Sequence, residues 1–233
     1  MAGDEQKITI RPNGPYLLRG GIPLVRKSEV MSEHGEPLTW KKDGVLESDE
    51  TTRLCRCGKS QTKPFCDSSH TLVAFDGTET ADPAPIASRA KEFKGEKIVM
   101  KDDHSLCVHS GFCGNRVTNL WNMVKESGDT QVRAQMMAMI EKCPSGTLAF
   151  SVDNSPELVE PDLPREVAVI TDGPLWVSGG ITIERRDGKP VETRNRITLC
   201  RCGASANKPF CDGAHKEVGF TDGINTSPVI QIT

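Results

Sequence analysis

The sequence predicts a mainly β fold of the α+β class, made of two copies of one small β-rich module separated by an inserted domain that contains helix. Three observations carry this reading. A segment near the N-terminus recurs near residue 170, proline-punctuated connections bound the stretch between the copies, and one run inside that stretch has helical periodicity. The repeat weighs most, because each copy must be one folding unit.

The first copy opens with Asn13-Gly14-Pro15-Tyr16-Leu17-Leu18-Arg19-Gly20-Gly21-Ile22 and the second with Asp172-Gly173-Pro174-Leu175-Trp176-Val177-Ser178-Gly179-Gly180-Ile181. Both read as turn, short apolar strand, double-glycine turn, strand. Gly14 to Cys55 is 41 positions and Gly173 to Cys200 is 27, so the first copy carries a 14-residue hairpin or loop extension around Ser28–Gly44. Each copy then enters a Cys-rich block, Leu54-Cys55-Arg56-Cys57-Gly58 or Leu199-Cys200-Arg201-Cys202-Gly203, and both run through Lys-Pro-Phe-Cys-Asp to a histidine. The blocks close alike, at Val73–Gly77 and Val218–Gly223.

Thr78–Ala90 and Asp153–Pro164 read as surface connections. Between them, Asp129 or Thr130 is placed to cap a helix whose apolar positions Val132, Met136, Met139 and Ile140 lead to Cys143. A Met-rich stripe of this kind reads as core packing rather than as a cofactor box. The domain boundaries are therefore 1–77, 78–166 and 167–233.

Composition narrows the function. A chain of 233 residues with a net charge of −3 gives no reason to expect nucleic acid or an anionic membrane as partner. The start, MAGDEQKITI, has no basic and apolar leader pattern, and no apolar run approaches the ~18–20 residues that span a bilayer. A cytoplasmic protein is expected. Aromatic residues make up only 5%, which suits small layered modules. Nine cysteines in clusters, in a reducing compartment, point to metal rather than to disulfides.

The ligand candidates repeat with the spacing Cys-x-Cys-x8-Cys-x3-His: Cys55, Cys57, Cys66 and His70 in one copy, Cys200, Cys202, Cys211 and His215 in the other. Such N/S sets suit iron–sulfur clusters, zinc or copper. Zinc usually takes cysteines two to four residues apart, and one intervening residue is a strained span for a one-metal chelate. A two-iron unit suits the short pair better, with both thiolates on one iron and the distant cysteine and histidine on the other. A zinc-stabilised structural module is the alternative.

The stretches Cys57-x2-Ser60-x3-Pro64-x-Cys66-Asp67-Ser68-Ser69-His70 and Cys202-x2-Ser205-x3-Pro209-x-Cys211-Asp212-Gly213-Ala214-His215 resemble the CDGSH iron–sulfur motif of the NEET family. The resemblance covers most of residues 8–77 and 167–223, and the first copy has Ser68 where the motif has glycine. It implies a [2Fe–2S] cluster on three cysteines and one histidine in each copy, and a module that normally pairs as an intertwined homodimer. The strands Tyr16–Leu18 and Leu175–Val177 are duplicated, so two copies in one chain are expected to satisfy each other as a monomeric pseudo-dimer. Asp67 and Asp212 are expected as N-caps, Ser60 and Ser205 as donors to a cluster sulfur or as turn closers, and Pro64 and Pro209 as loop stiffeners. His34 and His104 are expected at the surface.

The central segment reads Cys107-Val108-His109-Ser110-Gly111-Phe112-Cys113, with Cys143-Pro144 thirty residues on. This resembles a divergent ferredoxin-like domain with Ser110 in place of the second cysteine. We read it as having lost its cluster. The alternative is a third iron–sulfur cluster on Cys107, Cys113 and Cys143, either [3Fe–4S] or four-iron with His109 or Ser110 completing it. No phosphate-binding glycine loop or nucleophile elbow is present, so no enzyme is expected. The function expected is electron transfer, cluster delivery or redox sensing, with redox or cluster-acceptor proteins as partners.

Overall fold

The computed structural model describes residues 5–153, 155–189 and 191–223. The predicted outer modules extend beyond these limits at residues 1–4 and 224–233, which lie outside the described residues. In chain order the elements are β1 (Lys7–Ile10), β2 (Tyr16–Arg19), β3 (Leu24–Met31), β4 (Pro37–Leu46), β5 (Thr51–Leu54), α1 (Ser69–Leu72), α2 (Ile86–Arg89), β6 (Lys91–Lys94), β7 (Ile98–Asp102), α3 (Leu120–Met123) and α4 (Thr130–Glu141). They continue with β8 (Leu148–Val152), β9 (Glu166–Ile170), β10 (Leu175–Ser178), β11 (Thr182–Glu184), β12 (Arg196–Leu199) and α5 (Ala214–Glu217).

The two copies exchange strands. One sheet has the order β11-β1-β2-β5, and a second has the order β12-β10-β9-β3-β4. After its double glycine each copy sends a strand into the other copy's sheet, where it pairs parallel to the first strand there: β11 beside β1 with Ile8 opposite Ile183, and β3 beside β9 with Val25 opposite Ala168. The chain therefore forms the expected internal pseudo-dimer, joined by these crossing strands. Tyr16–Leu18 and Leu175–Val177 lie inside separate sheets and make no pairing with each other. β3 keeps its antiparallel partner β4, so in the first copy a whole hairpin crosses over.

Alternation explains the core. In β1 the buried residues are Ile8 and Ile10, every second position, so one face meets the core and the other meets solvent. In β9 and β10 every residue is buried, which fits central strands covered on both faces. Ile8, Ile10, Tyr16, Leu18, Leu24 and Leu54 from the first copy join Val167, Val169, Leu175, Val177, Ile183 and Leu199 from the second in one cluster. The two modules share a single core. Each such side chain removed from water stabilises the fold by about 1.5–3 kcal/mol.

The 14-residue extension is a hairpin, the outer parts of β3 and β4. It folds back over the second module, and Trp40 packs on both Trp176 and Phe112 at ring-centroid distances of 5.3 and 5.2 Å. The indole N–H donates to the Lys142 carbonyl at 2.9 Å, so the hairpin ties the middle domain to the second copy.

The middle domain is a three-stranded antiparallel sheet, β6-β7-β8, against which α3 and α4 pack. Asp129 caps α4, its side chain accepting from the Gln131 and Val132 amides at 2.7 and 3.2 Å. The methionine stripe is core: Met136 and Ile140 are fully buried with Met100, Leu148 and Phe150. Arg196 of β12, itself buried, fixes this domain by donating to the carbonyls of Ile140, Cys143 and Leu148 at 2.6, 2.9 and 3.2 Å while pairing with Glu160 at 2.8 Å. Among the described residues no helix is long and apolar enough to cross a membrane.

Candidate metal centres

Each Cys-rich block bends directly after its last strand, and the two cysteines of the pair turn to one side. Cys55 and Cys57 therefore bring their sulfurs to 3.7 Å, and Cys200 and Cys202 to 3.8 Å. The intervening arginines point the other way, into the fold. Arg56 donates to the Gly77 carbonyl at 2.6 Å, and Arg201 donates to the carbonyls of Ile170 and Gly173 and pairs with Asp222.

The remaining two ligands arrive on a loop that the backbone closes. The Cys55 amide donates to the Pro64 carbonyl and the Cys66 amide to the Arg53 carbonyl; Cys200 with Pro209 and Cys211 with Thr198 repeat the pattern, at 2.8 and 3.0 Å in both copies. Ser60 and Ser205 close the turn, each donating to a phenylalanine carbonyl, Phe65 or Phe210, at 2.7 Å. Histidine then comes from the single helical turn of α1 or α5, with its Nδ1 beside the third cysteine: 3.5 Å from Cys66 Sγ to His70, 3.4 Å from Cys211 Sγ to His215.

The aspartates sit one residue earlier than expected. The helix caps are Ser68 and Gly213, both left-handed with φ of 72° and 90°. Asp67 and Asp212 precede them and still accept from the first-turn amides of Ser69 and Ala214, while their second oxygens accept from Gln61 and Ala206. These bonds, led by the one from Gln61, hold the Asp67 carboxyl well below the usual range. Pro64 and Pro209 follow cis peptide bonds. His34 and His104 are exposed.

The spacing fits metal ligation by pairs. Two thiolates on one tetrahedral metal at ~2.3 Å lie about 3.7 Å apart, and a thiolate and an imidazole nitrogen about 3.6 Å. Both copies match these values, so the strain expected of a Cys-x-Cys pair on one metal does not arise. Within each pair the shared hydrogen bond favours one thiolate, bringing Cys55 to about 6 and Cys202 to about 7 while pushing up Cys57 and Cys200. Burial raises Cys66, raises Cys211 to about 12, and lowers His215 to about 4, favouring the neutral imidazole that ligates metal. Among the described residues no three Cys, His, Asp or Glu side chains converge on one metal position.

The two blocks meet back to back. A Cβ on Gly58 would lie 2.3 Å from the Cys202 carbonyl oxygen, and one on Gly203 would lie 2.7 Å from that of Cys57. Only glycine allows this approach, at φ of +76° and +83°.

Three features escaped the sequence reading. Tyr16, fully buried, reaches across the pseudo-twofold and donates to the Cys200 carbonyl at 2.7 Å, also lying 3.1 Å from that of Pro209. It is the only tyrosine in the chain, and the second copy has Leu175 in its place, which is the signal that could have marked it. His109 of the middle domain lies over Gly213, where a Cβ would stand 2.3 Å from its ring. Trp40 and Glu29 of the hairpin join Val108, Ser110 and Lys216 around a cavity of about 380 Å³ that reaches His215.

In the middle domain Cys107 and Cys113 are half-buried and Cys143 is buried. Burial raises the Cys107 and Cys113 thiols, and the negative charge of neighbouring thiolates, Cys143 among them, raises both further, so the three share one neighbourhood. His109 Nδ1 lies 3.9 Å from Cys107 Sγ.

Comparison with known families matches three segments of the chain. Residues 13–71 and 172–216 match the family described as iron-binding zinc finger, CDGSH type, and residues 93–153 match the family described as divergent 4Fe-4S mono-cluster. No curated protein matches the chain. The chain thus carries two CDGSH iron-binding segments in tandem, flanking a segment of the divergent 4Fe-4S type.

Proposed function

We propose that each CDGSH segment holds one [2Fe–2S] cluster on three cysteines and one histidine, and that the protein carries electrons or clusters between other proteins. The observation behind this is the ligand pairing. Cys with Cys and Cys with His lie at one-metal spacing in both copies, while among the described residues no tetrad converges on a single metal. Two metals per site suit that arrangement, and a mononuclear zinc would have to draw both pairs to one point.

The clusters, when bound, supply one-electron redox chemistry. The protein supplies the thiolates, a neutral imidazole in place of a fourth thiolate, and loops tied down by Ser60, Ser205, Asp67 and Asp212. Replacing thiolate by imidazole makes the site less negative, which places its potential above the roughly −400 mV of plant-type ferredoxins. The middle segment is read as a ferredoxin domain short of its fourth thiolate. In this reading one chain, with its shared core, is the functional unit, and it serves as a carrier rather than as an enzyme.

Protein purified without air tests this through its visible spectrum and its iron and sulfide content. About four irons and four sulfides per chain are expected, two per cluster. A colourless protein containing zinc would end the reading. Seven or eight irons would show that the middle segment is loaded as well.

A further inference from the structure

We propose that the two cluster sites are unequal by construction: the Cys55/Cys57/Cys66/His70 site is the one that exchanges its cluster with an acceptor protein, and the Cys200/Cys202/Cys211/His215 site keeps its cluster. This rests on the reading that both sites hold clusters.

Exposure differs along the whole of the second ligand pair. Cys66 and His70 are half-buried, with Asp67 and Ser68 exposed beside them, whereas Cys211 and His215 are 1% and 6% exposed. Both copies share their loop hydrogen bonds, so the difference comes from what lies on top. Over the second site lies the middle domain. The His109 ring occupies the space a side chain at position 213 would need, and the Lys216 ammonium donates to the His109 carbonyl at 2.5 Å. The Asn207 amide donates to the Ser105 carbonyl at 2.8 Å, and the amides of Thr80 and Ala81 both donate to the Lys208 carbonyl. In the first copy Ser68 stands where Gly213 does, in the same left-handed conformation but exposed.

The second site is also held from below. Tyr16 donates its buried hydroxyl to the Cys200 carbonyl, and Leu175, its counterpart, has no hydroxyl to offer the first site. The cavity beside His215 does not undo this seal, because about 380 Å³ admits a small molecule and not the cysteine loop of a folded acceptor.

Exchange at the first site moves no electron. Three iron–thiolate bonds and one iron–imidazole bond break while four iron–thiolate bonds to the acceptor form. Of the four protons the acceptor thiols release, three return to Cys55, Cys57 and Cys66 and one goes to solvent, and His70 leaves neutral. At the second site the same replacement requires the middle domain to lift first, and each ~1.4 kcal/mol of that opening slows it about tenfold.

The test uses the loaded full-length protein and an apo-ferredoxin with four cysteines as acceptor. At intervals, thiols freed by transfer are alkylated and located by peptide mass mapping. Labelling of Cys55, Cys57 and Cys66 is expected at least about tenfold faster than labelling of Cys200, Cys202 and Cys211. His109→Ala, and independently Lys216→Ala, should bring the second trio's rate up towards the first while leaving the first unchanged. Equal rates in the unaltered protein, faster labelling of the second trio, or no transfer from a protein whose clusters are present would overturn the proposal. Absence of iron and colour at the outset would instead overturn the cluster reading on which it stands.

Discussion

Tyr16→Phe removes one oxygen atom from the centre of the molecule and leaves the ring in place. The hydroxyl it deletes bridges the copies, donating to the Cys200 carbonyl at 2.7 Å. The Pro209 carbonyl keeps the Cys200 amide at 2.8 Å, but the Cys200 carbonyl, in a residue that is 1% exposed, loses its tyrosine donor. Leaving a buried carbonyl in that state costs about 1–3 kcal/mol. Burial raises the Tyr16 hydroxyl well above its ordinary range, so the proton being lost is present at every working pH. For a chain of this size each kcal/mol lowers the melting temperature by about 2–4 °C, which predicts a fall of about 2–12 °C by calorimetry. The effect should be one-sided: release of Cys200, Cys202 and Cys211 quickens, and release of Cys55, Cys57 and Cys66 does not. A melting temperature within about 1 °C of the parent, or equal quickening at both trios, would refute the assignment of this hydroxyl to the second site.

Other substitutions probe the remaining joints. Gly58→Ala or Gly203→Ala forces a Cβ against the opposite ligand block and a left-handed alanine besides, so each should cost about 2 kcal/mol or more and reduce iron retention in both sites, as read by iron analysis after gel filtration. Arg196→Met strands three carbonyls and Glu160 at a cost of about 3 kcal/mol, and hydrogen exchange should rise in α4 and β8 while the two exchanged-strand sheets stay protected. In cluster-free protein, burial holds the folded His215 at about 4, below its unfolded value of ~6.5, so its stabilisation is complete above about 6.5 and is lost as pH falls towards 4. The melting-temperature gap between parent and His215→Asn should therefore narrow steadily across that window, and a gap independent of pH would place His215 outside this buried environment.

The ligand sets were legible because their chemistry is local. Four N/S donors stand within sixteen positions, twice, and the structure gathers all eight as two pairs per copy. Helix α4 was legible for a similar reason: one capping carboxylate and four apolar residues at helical spacing settle it. The strand exchange was not, since β1 with β11 and β3 with β9 are parallel pairings between residues far apart in sequence, and no local pattern encodes which of several short apolar strands will cross. The aspartates were assigned one position late because a left-handed residue intervenes between Asp67 or Asp212 and the helix, and neither serine nor glycine announces that in the sequence.

What the repeat shares gave the ligands; where it departs from itself says more about how the sites differ. Three departures stand out: tyrosine at 16 against leucine at 175, serine at 68 against glycine at 213, and a 14-residue extension present once. In a single stretch of sequence each is minor. In the structure all three bear on the same place. Tyr16 holds the second ligand block from beneath, Gly213 leaves room for His109 above it, and the extension brings Trp40 against Trp176 and Phe112 to hold the middle domain there. Tyr16 also packs its ring against Arg56 of the first block, 5.6 Å from the guanidinium, but it gives its hydroxyl to the second. A duplicated module in which these three asymmetries converge on one copy of the centre fits the division proposed above, with one centre shut in and its twin open to other proteins.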